Sequence, residues 1–175
     1  MIMEPFTESG MQFGPYPDGY CLRIEQSNTY RKIQGGVRMA EFLLLRRQGD
    51  GIPCIWIVEA KSSSPRPEAS NFPEFIAEIR DKLANALALG IASILMRHPA
   101  ALADLPDRFK TFDLAATDFR LVLIINGHKK SWLAPLQDAL RKALHPTVQT
   151  WALGANAVVV INDQDARRFG LISAP

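Results

Sequence analysis

The chain has 175 residues, 47% of them apolar and 22% charged, with a formal net charge of +2. That length suits one globular domain with a sizeable core and leaves no room for a second independent one. So small a net charge does not announce a nucleic-acid binder, and any such function has to rest on local clustering of basic residues.

The two cysteines, Cys21 and Cys54, have no metal-site spacing and form no disulfide framework, which points to a reducing compartment, taken as the cytoplasm. The longest uncharged stretch, residues 83–96, is too short to span a bilayer and predicts a buried core helix rather than a membrane contact. Residues 1–19 carry Pro5, Gly10, Gly14, Pro15, Pro17 and Gly19 and lack the apolar run of a signal peptide. They are expected to form a loosely ordered lead-in to a single domain over 20–175.

Residues 20–25 suit a short strand and 27–33 a helical turn, after which Gln34-Gly35-Gly36 breaks the chain. Residues 37–45 predict a strand that ends in a polar turn at 48–51. The Ile, Trp, Ile and Val of residues 55–60 predict a strand buried on both faces. The short connection between the two makes an antiparallel hairpin the natural arrangement. Residues 61–67, with three serines and two prolines, must be a loop.

Asn71 and Glu74 form a capping-box pattern that opens a helix running to about residue 98, where Pro99 ends it. It is amphipathic at first and then apolar nearly all round, as in a helix packed between two layers or against a partner. Residues 100–116 read as an irregular connection with a short helix, and 119–125 as a third buried strand closed by Asn126-Gly127. A helix over 132–144 presents Trp132, Leu133, Leu136, Leu140 and Leu144 on one face, and Pro146 is expected to stop it. Strands are expected at 147–153 and 157–161, then a last short helix capped by Asn162 or Asp163 and ended by Gly170. The order predicts an α/β fold, a mixed β-sheet flanked by helices.

Strand periodicity puts Glu59 and Lys61 side by side on one face where a buried strand leaves the core. A carboxylate there suits Mg²⁺ or Mn²⁺, and a lysine beside it can orient or deprotonate a water or stabilise charge on an anionic substrate. Glu41 lies in the preceding strand among Met39, Phe42, Leu43 and Leu44, where a carboxylate is costly unless paired or bound to a cation.

The hairpin of 37–45 and 55–61 resembles the core of the PD-(D/E)XK nuclease superfamily, with an acid on one strand and (D/E)-X-K at the end of the next. The helix, strand and helix that follow agree in order with that restriction-endonuclease-like fold. The resemblance implies that Glu41 and Glu59 bind the catalytic metal with the backbone carbonyl of Ala60, and that Lys61 assists the water. It also implies metal-dependent hydrolysis of phosphodiester bonds in nucleic acid, usually DNA, as in restriction, repair or defence. Glutamate stands at position 41 where aspartate is usual, and no proline precedes it. Glu25 is the candidate for the glutamate that many members carry on an N-terminal helix.

Arg38, Arg46, Lys129 and Lys130 are the basic residues expected to position DNA, while a solvated turn is the ordinary account of His128, Lys129 and Lys130. Glu78 and Lys82 lie one turn apart, and a surface salt bridge between them is favoured over a place at the site. Ser62, Ser63 and Ser64 suit phosphate contacts and strand termination equally. Trp56, Trp132 and Trp151 read as core residues rather than stacking platforms. No histidine stands in a recognisable relation to a serine or cysteine nucleophile, and no glycine-rich phosphate loop is present.

A domain this small is expected to borrow specificity from a protein partner or a second copy, for which residues 83–96 offer a docking surface. Two further accounts stay open: a catalytically inactive, nuclease-like subunit that binds protein or nucleic acid, and a surface Glu59–Lys61 ion pair distant from Glu41 on an unrelated fold.

Overall fold

The structure, a computed structural model, describes residues 1–111 and 113–173; residue 112, inside the expected connection, and 174–175, at the end of the expected domain, lie outside it. In chain order the short strands β1 (Ile2–Met3), β2 (Phe6–Glu8), β3 (Met11–Phe13) and β4 (Tyr16–Pro17) come first. There follow β5 (Cys21–Leu22), α1 (Asn28–Ile33), β6 (Phe42–Arg47), β7 (Pro53–Lys61), α2 (Phe72–Ile94) and α3 (Ala101–Asp104). The chain continues through β8 (Asp118–Ile125), α4 (Leu133–Thr150), β9 (Val158–Asn162) and α5 (Asp163–Arg168).

The expected mixed α/β architecture is present. Five strands form one sheet in the order β5-β6-β7-β8-β9. β5, β6 and β7 run as an antiparallel meander, and β7, β8 and β9 are parallel. The short link from β6 to β7 permits only the antiparallel hairpin, whereas the long excursion through α2 lets β8 return parallel to β7. As predicted from its Ile, Trp, Ile and Val, β7 is buried from Cys54 to Ala60.

Helices α2 and α4 cover one face of the sheet, where Ile55 and Ile57 meet Ile79 and Leu83 of α2 and Leu136 and Leu140 of α4. Gly90 lets α2 come close to the sheet, since a Cβ there would lie 2.6 Å from Leu43 Cδ2. The other face carries a second core of Phe13, Tyr16, Phe42, Trp56, Val58 and Val122.

That second core corrects the expectation of a loose lead-in. Residues 1–19 fold into two small antiparallel ribbons, β1 with β4 and β2 with β3, and Phe13 is fully buried. The glycines and prolines mark their turns rather than disorder, and Phe6, Phe13 and Phe42 pack ring against ring beneath them.

Other boundaries differ as well. α2 ends at Ile94, and Asn71 makes no side-chain capping bond. α4 runs through Pro146 to Thr150, so no strand forms at 147–153. Its apolar stripe continues past the proline, with Val148 packed on the core one turn after the buried Leu144, and that packing outweighs the missing N–H. β6 begins at Phe42, five residues later than expected, and residues 37–41 approach it without strand pairing.

Within the 83–96 segment expected to dock a partner, Leu83, Leu87, Leu89 and Ile91 are buried in this chain's own core, and its exposed large apolar side chains are Leu95 and Met96, just beyond the helix. Among the described residues no helix is long and apolar enough to cross a membrane.

Candidate active site

The odd-numbered residues of β7 face α2. Ile55 and Ile57 fill the core beneath the helix, and the same alternation carries Glu59 and Lys61 to the strand's exit. Glu59 has no solvent exposure at all. An isolated carboxylate so placed would be several kcal/mol unfavourable, on the order of the effective cost of burying one ion.

Two lysines offset that cost. Lys82 of α2 donates to Glu59 Oε1 at 2.9 Å, and Lys61 Nζ stands 3.4 Å from the same oxygen. Lys61 also donates to Glu78 Oε1 at 2.8 Å, completing a chain Lys82–Glu59–Lys61–Glu78 between strand and helix. Burial pushes the Glu59 pKa above the usual carboxylate value although both lysines oppose it. Burial works against the Lys82 charge too, but the Glu59 carboxylate prevails and holds its pKa up. The Lys61 contact lowers that of Glu78. The expected Glu78–Lys82 surface pair does not form; each takes its partner from β7.

The second oxygen of Glu59, Oε2, is buried and has no hydrogen-bond partner among the described residues. A buried acceptor left unmade is costly, and such atoms are few in native proteins.

Glu41 sits at the bend before β6, and its N–H donates to the Val58 carbonyl at 3.0 Å, which ties it beside the end of β7. Its carboxyl is half-buried, and its pKa rises to about 8. Burial is the main cause, followed by a hydrogen bond with the Glu25 carboxyl and repulsion from Glu59, Glu25 and Glu8. The structure thus brings Glu25, Glu41, Glu59 and Lys61 together. Glu25 comes from a short 3-10 turn, Ile24–Gln26, rather than a helix. A shallow pocket of about 460 Å³ opens here, lined by Glu25, Arg38 and Lys82.

The Ala60 carbonyl points to the side left open before β6 begins, and it accepts the Ser9 hydroxyl at 2.9 Å. One lone pair remains on that oxygen. Arg46 is out of place for the role expected of it: it pairs with Cys54 at the start of β7, roughly 17 Å along the strand from Glu59 at ~3.3 Å per residue.

Parallel pairing sets Lys61 against Ile125, so the segments after β7 and β8 leave the sheet together. Between them lies a cavity of about 650 Å³ lined by Ser62, Ser63, Ser64, Arg66, His128 and Trp132, among others. It occupies the carboxyl end of the parallel strands, the usual ligand position in such sheets. Trp132 is 45% exposed, with the His128 ring edge-on at 5.2 Å and Lys129 Nζ 4.9 Å from its centroid. Its expected core role is therefore wrong, and so is that of Trp151, 42% exposed; Trp56 is buried as expected.

The signal for Lys82 lay beside Leu83 and three residues after Ile79, on the margin of the apolar stripe that faces the sheet. The contribution of Glu8 had no signal, because residues 1–19 gave no hint of packing there. Among the described residues no group of three or more His, Cys, Asp or Glu side chains is arranged to hold a metal ion. No protein-family model, curated protein or solved structure matches the chain.

Proposed function

We propose that the chain is a restriction-endonuclease-like, metal-dependent nuclease that hydrolyses phosphodiester bonds of nucleic acid, DNA in the first instance, in the cytoplasm. The observation that carries this is the unpartnered Glu59 Oε2, buried at a strand end beside Glu41 and two lysines. The antiparallel meander followed by a helical crossover to a parallel strand, with the acid and E-X-K at adjoining strand ends, supports the fold assignment.

Mg²⁺ commonly keeps several waters and takes one or two carboxylates, so it does not require a three-residue protein cage. Glu59 Oε2 and Glu41 fit that donor set, with the free lone pair of Ala60 as a third oxygen. Carboxyls of Glu41 and Glu25 close enough to share a proton are also close enough to share a cation. Bound Mg²⁺ or Mn²⁺ supplies charge stabilisation at the phosphate and a more acidic water. Lys61 orients that water and offsets developing negative charge. Lys82 holds the Glu59 carboxylate ionised and in place. Arg38 at the pocket mouth, and Lys129 with Trp132 at the wider cavity, hold the nucleic-acid strand.

Crystals soaked in Mn²⁺ test the assignment. Anomalous density beside the Glu41 and Glu59 carboxylates is expected; Mn²⁺ bound elsewhere, or absent from a fully soaked crystal, overturns it.

One observation favours a second account, an inactive nuclease-like subunit that binds protein or nucleic acid. Glu59 Oε1 is already neutralised from within by Lys82 and Lys61. Exposed Leu95, Met96 and Leu102 would then contact a protein partner or a second copy.

A further inference from the structure

Far from Glu59, on the sheet face covered by residues 1–19, Trp56 has an arginine on either side. The guanidinium carbon of Arg46 is 4.7 Å from the indole centroid and that of Arg120 is 5.5 Å. Sheet register causes this: Arg120 pairs with Trp56 across β7 and β8, and Arg46 pairs with Cys54, two residues along the same face. Stacking on tryptophan accounts for one guanidinium. It does not account for two like charges brought to one ring, which repel in a half-buried setting.

Neither arginine has a carboxylate partner among the described residues, and neither does Arg47. Arg46 Nη2 donates to the Phe169 carbonyl at 2.6 Å, but Arg46 Nη1 is buried with no acceptor among the described residues. Asp118, at the same end of the sheet, accepts from Gln48 instead. Burial and the nearby Arg120 both lower the pKa of Arg46, although Tyr16 and Cys54 act the other way. A cavity of about 220 Å³ lies over these groups, lined by Arg46, Arg47, Arg120, Trp56, Cys54 and Phe169 among others, with no carboxylate in its wall among the described residues. Two guanidiniums without a carboxylate, one with a buried idle N–H, describe a site short of an oxyanion.

We propose that this cavity binds a phosphate group between the guanidiniums of Arg46 and Arg120 over Trp56, with Arg47 at its rim. The site is independent of the Glu59 centre, on the opposite face and toward the opposite end of the sheet. Free inorganic phosphate and the backbone of a nucleic acid present the same oxygens to it.

Thermal melting in millimolar inorganic phosphate, against sodium chloride at equal ionic strength, tests the proposal. Wild-type protein should melt several degrees higher in phosphate. Arg120→Gln should bind phosphate about tenfold more weakly, the expected loss of one charged hydrogen-bonding group. It should also melt higher than wild type in chloride, because the repulsion is gone; that gain shows the variant folds. Displacement of bound phosphate by an oligonucleotide without terminal phosphates assigns the site to backbone diesters, and indifference to it assigns the site to free phosphate. No phosphate-specific rise in the wild type, or the same rise in Arg120→Gln, overturns the proposal.

Discussion

Lys82 reaches from the middle of α2 to Glu59 at the end of β7 and donates to its Oε1 at 2.9 Å, the closest of the contacts that make this buried carboxylate tolerable. Removing one partner of such a pair strands the other. Lys82→Met is expected to lower stability by about 3 kcal/mol, the lower end for broken buried pairs because Lys61 remains. Lys61→Ala should cost less, since Lys61 stands farther from Glu59 at 3.4 Å and is partly exposed. Urea unfolding of the two variants checks the order, and an equal or reversed effect contradicts it.

Stability should depend on pH through Glu41. In the folded chain its carboxyl keeps a proton up to about 8, whereas its ordinary value is 4.5. Between those values unfolding releases a proton, so the stabilisation present below pH ~4.5 is lost as pH rises through about 8. Glu59, also raised, acts in the same sense, and Glu78, lowered, acts oppositely in acid. Melting curves in EDTA should therefore show wild-type stability falling across this window more steeply than that of Glu41→Gln. Parallel curves for the two proteins would contradict the coupling.

The close approach of α2 to the sheet at Gly90 gives a third expectation. A methyl group there collides with Leu43, whose side chain is 1% exposed and hemmed in. Gly90→Ala should destabilise by roughly 1–2 kcal/mol of overpacking even though alanine favours helix. Leu43→Val in the same chain should recover part of that loss, giving a favourable coupling in a double-mutant cycle. Strict additivity would place the helix farther from the sheet.

At the wider cavity, Trp132→Ala should leave the melting temperature nearly unchanged, because the side chain is 45% exposed. Affinity for a single-stranded oligonucleotide should fall about 5- to 150-fold if one base stacks on it. Fluorescence anisotropy in EDTA checks this without cleavage. Unchanged affinity removes Trp132 from the binding surface.

The order of β6, β7, α2, β8 and α4 was legible because each carries a strong local period: apolar runs in β7 and β8, and Leu133, Leu136, Leu140 and Leu144 in α4. The grouping of Glu41, Glu59 and Lys61 was legible for the same reason, since a short hairpin and a two-residue spacing leave few other arrangements. Lys82 was not assignable, because sequence gives the face a helix turns inward but not which strand end it crosses. Residues 1–19 misled because short ribbons rich in turns look like linker until Phe6 and Phe13 find Phe42. Pro146 misled because tertiary packing of Val148 overrode a local breaker.

Cleavage of supercoiled plasmid DNA in Mg²⁺ or Mn²⁺ is the decisive test of the proposed metal-dependent nuclease centre at Glu41, Glu59 and Lys61. Wild type should nick or linearise the plasmid only with the metal present. Glu59→Gln and Lys61→Ala, verified as folded by their melting curves, should lose about 100-fold or more of that activity, the scale of a lost charge-stabilising group. Wild-type protein that leaves the plasmid intact and shows no metal-induced rise in melting temperature contradicts the account, as does cleavage that both variants retain.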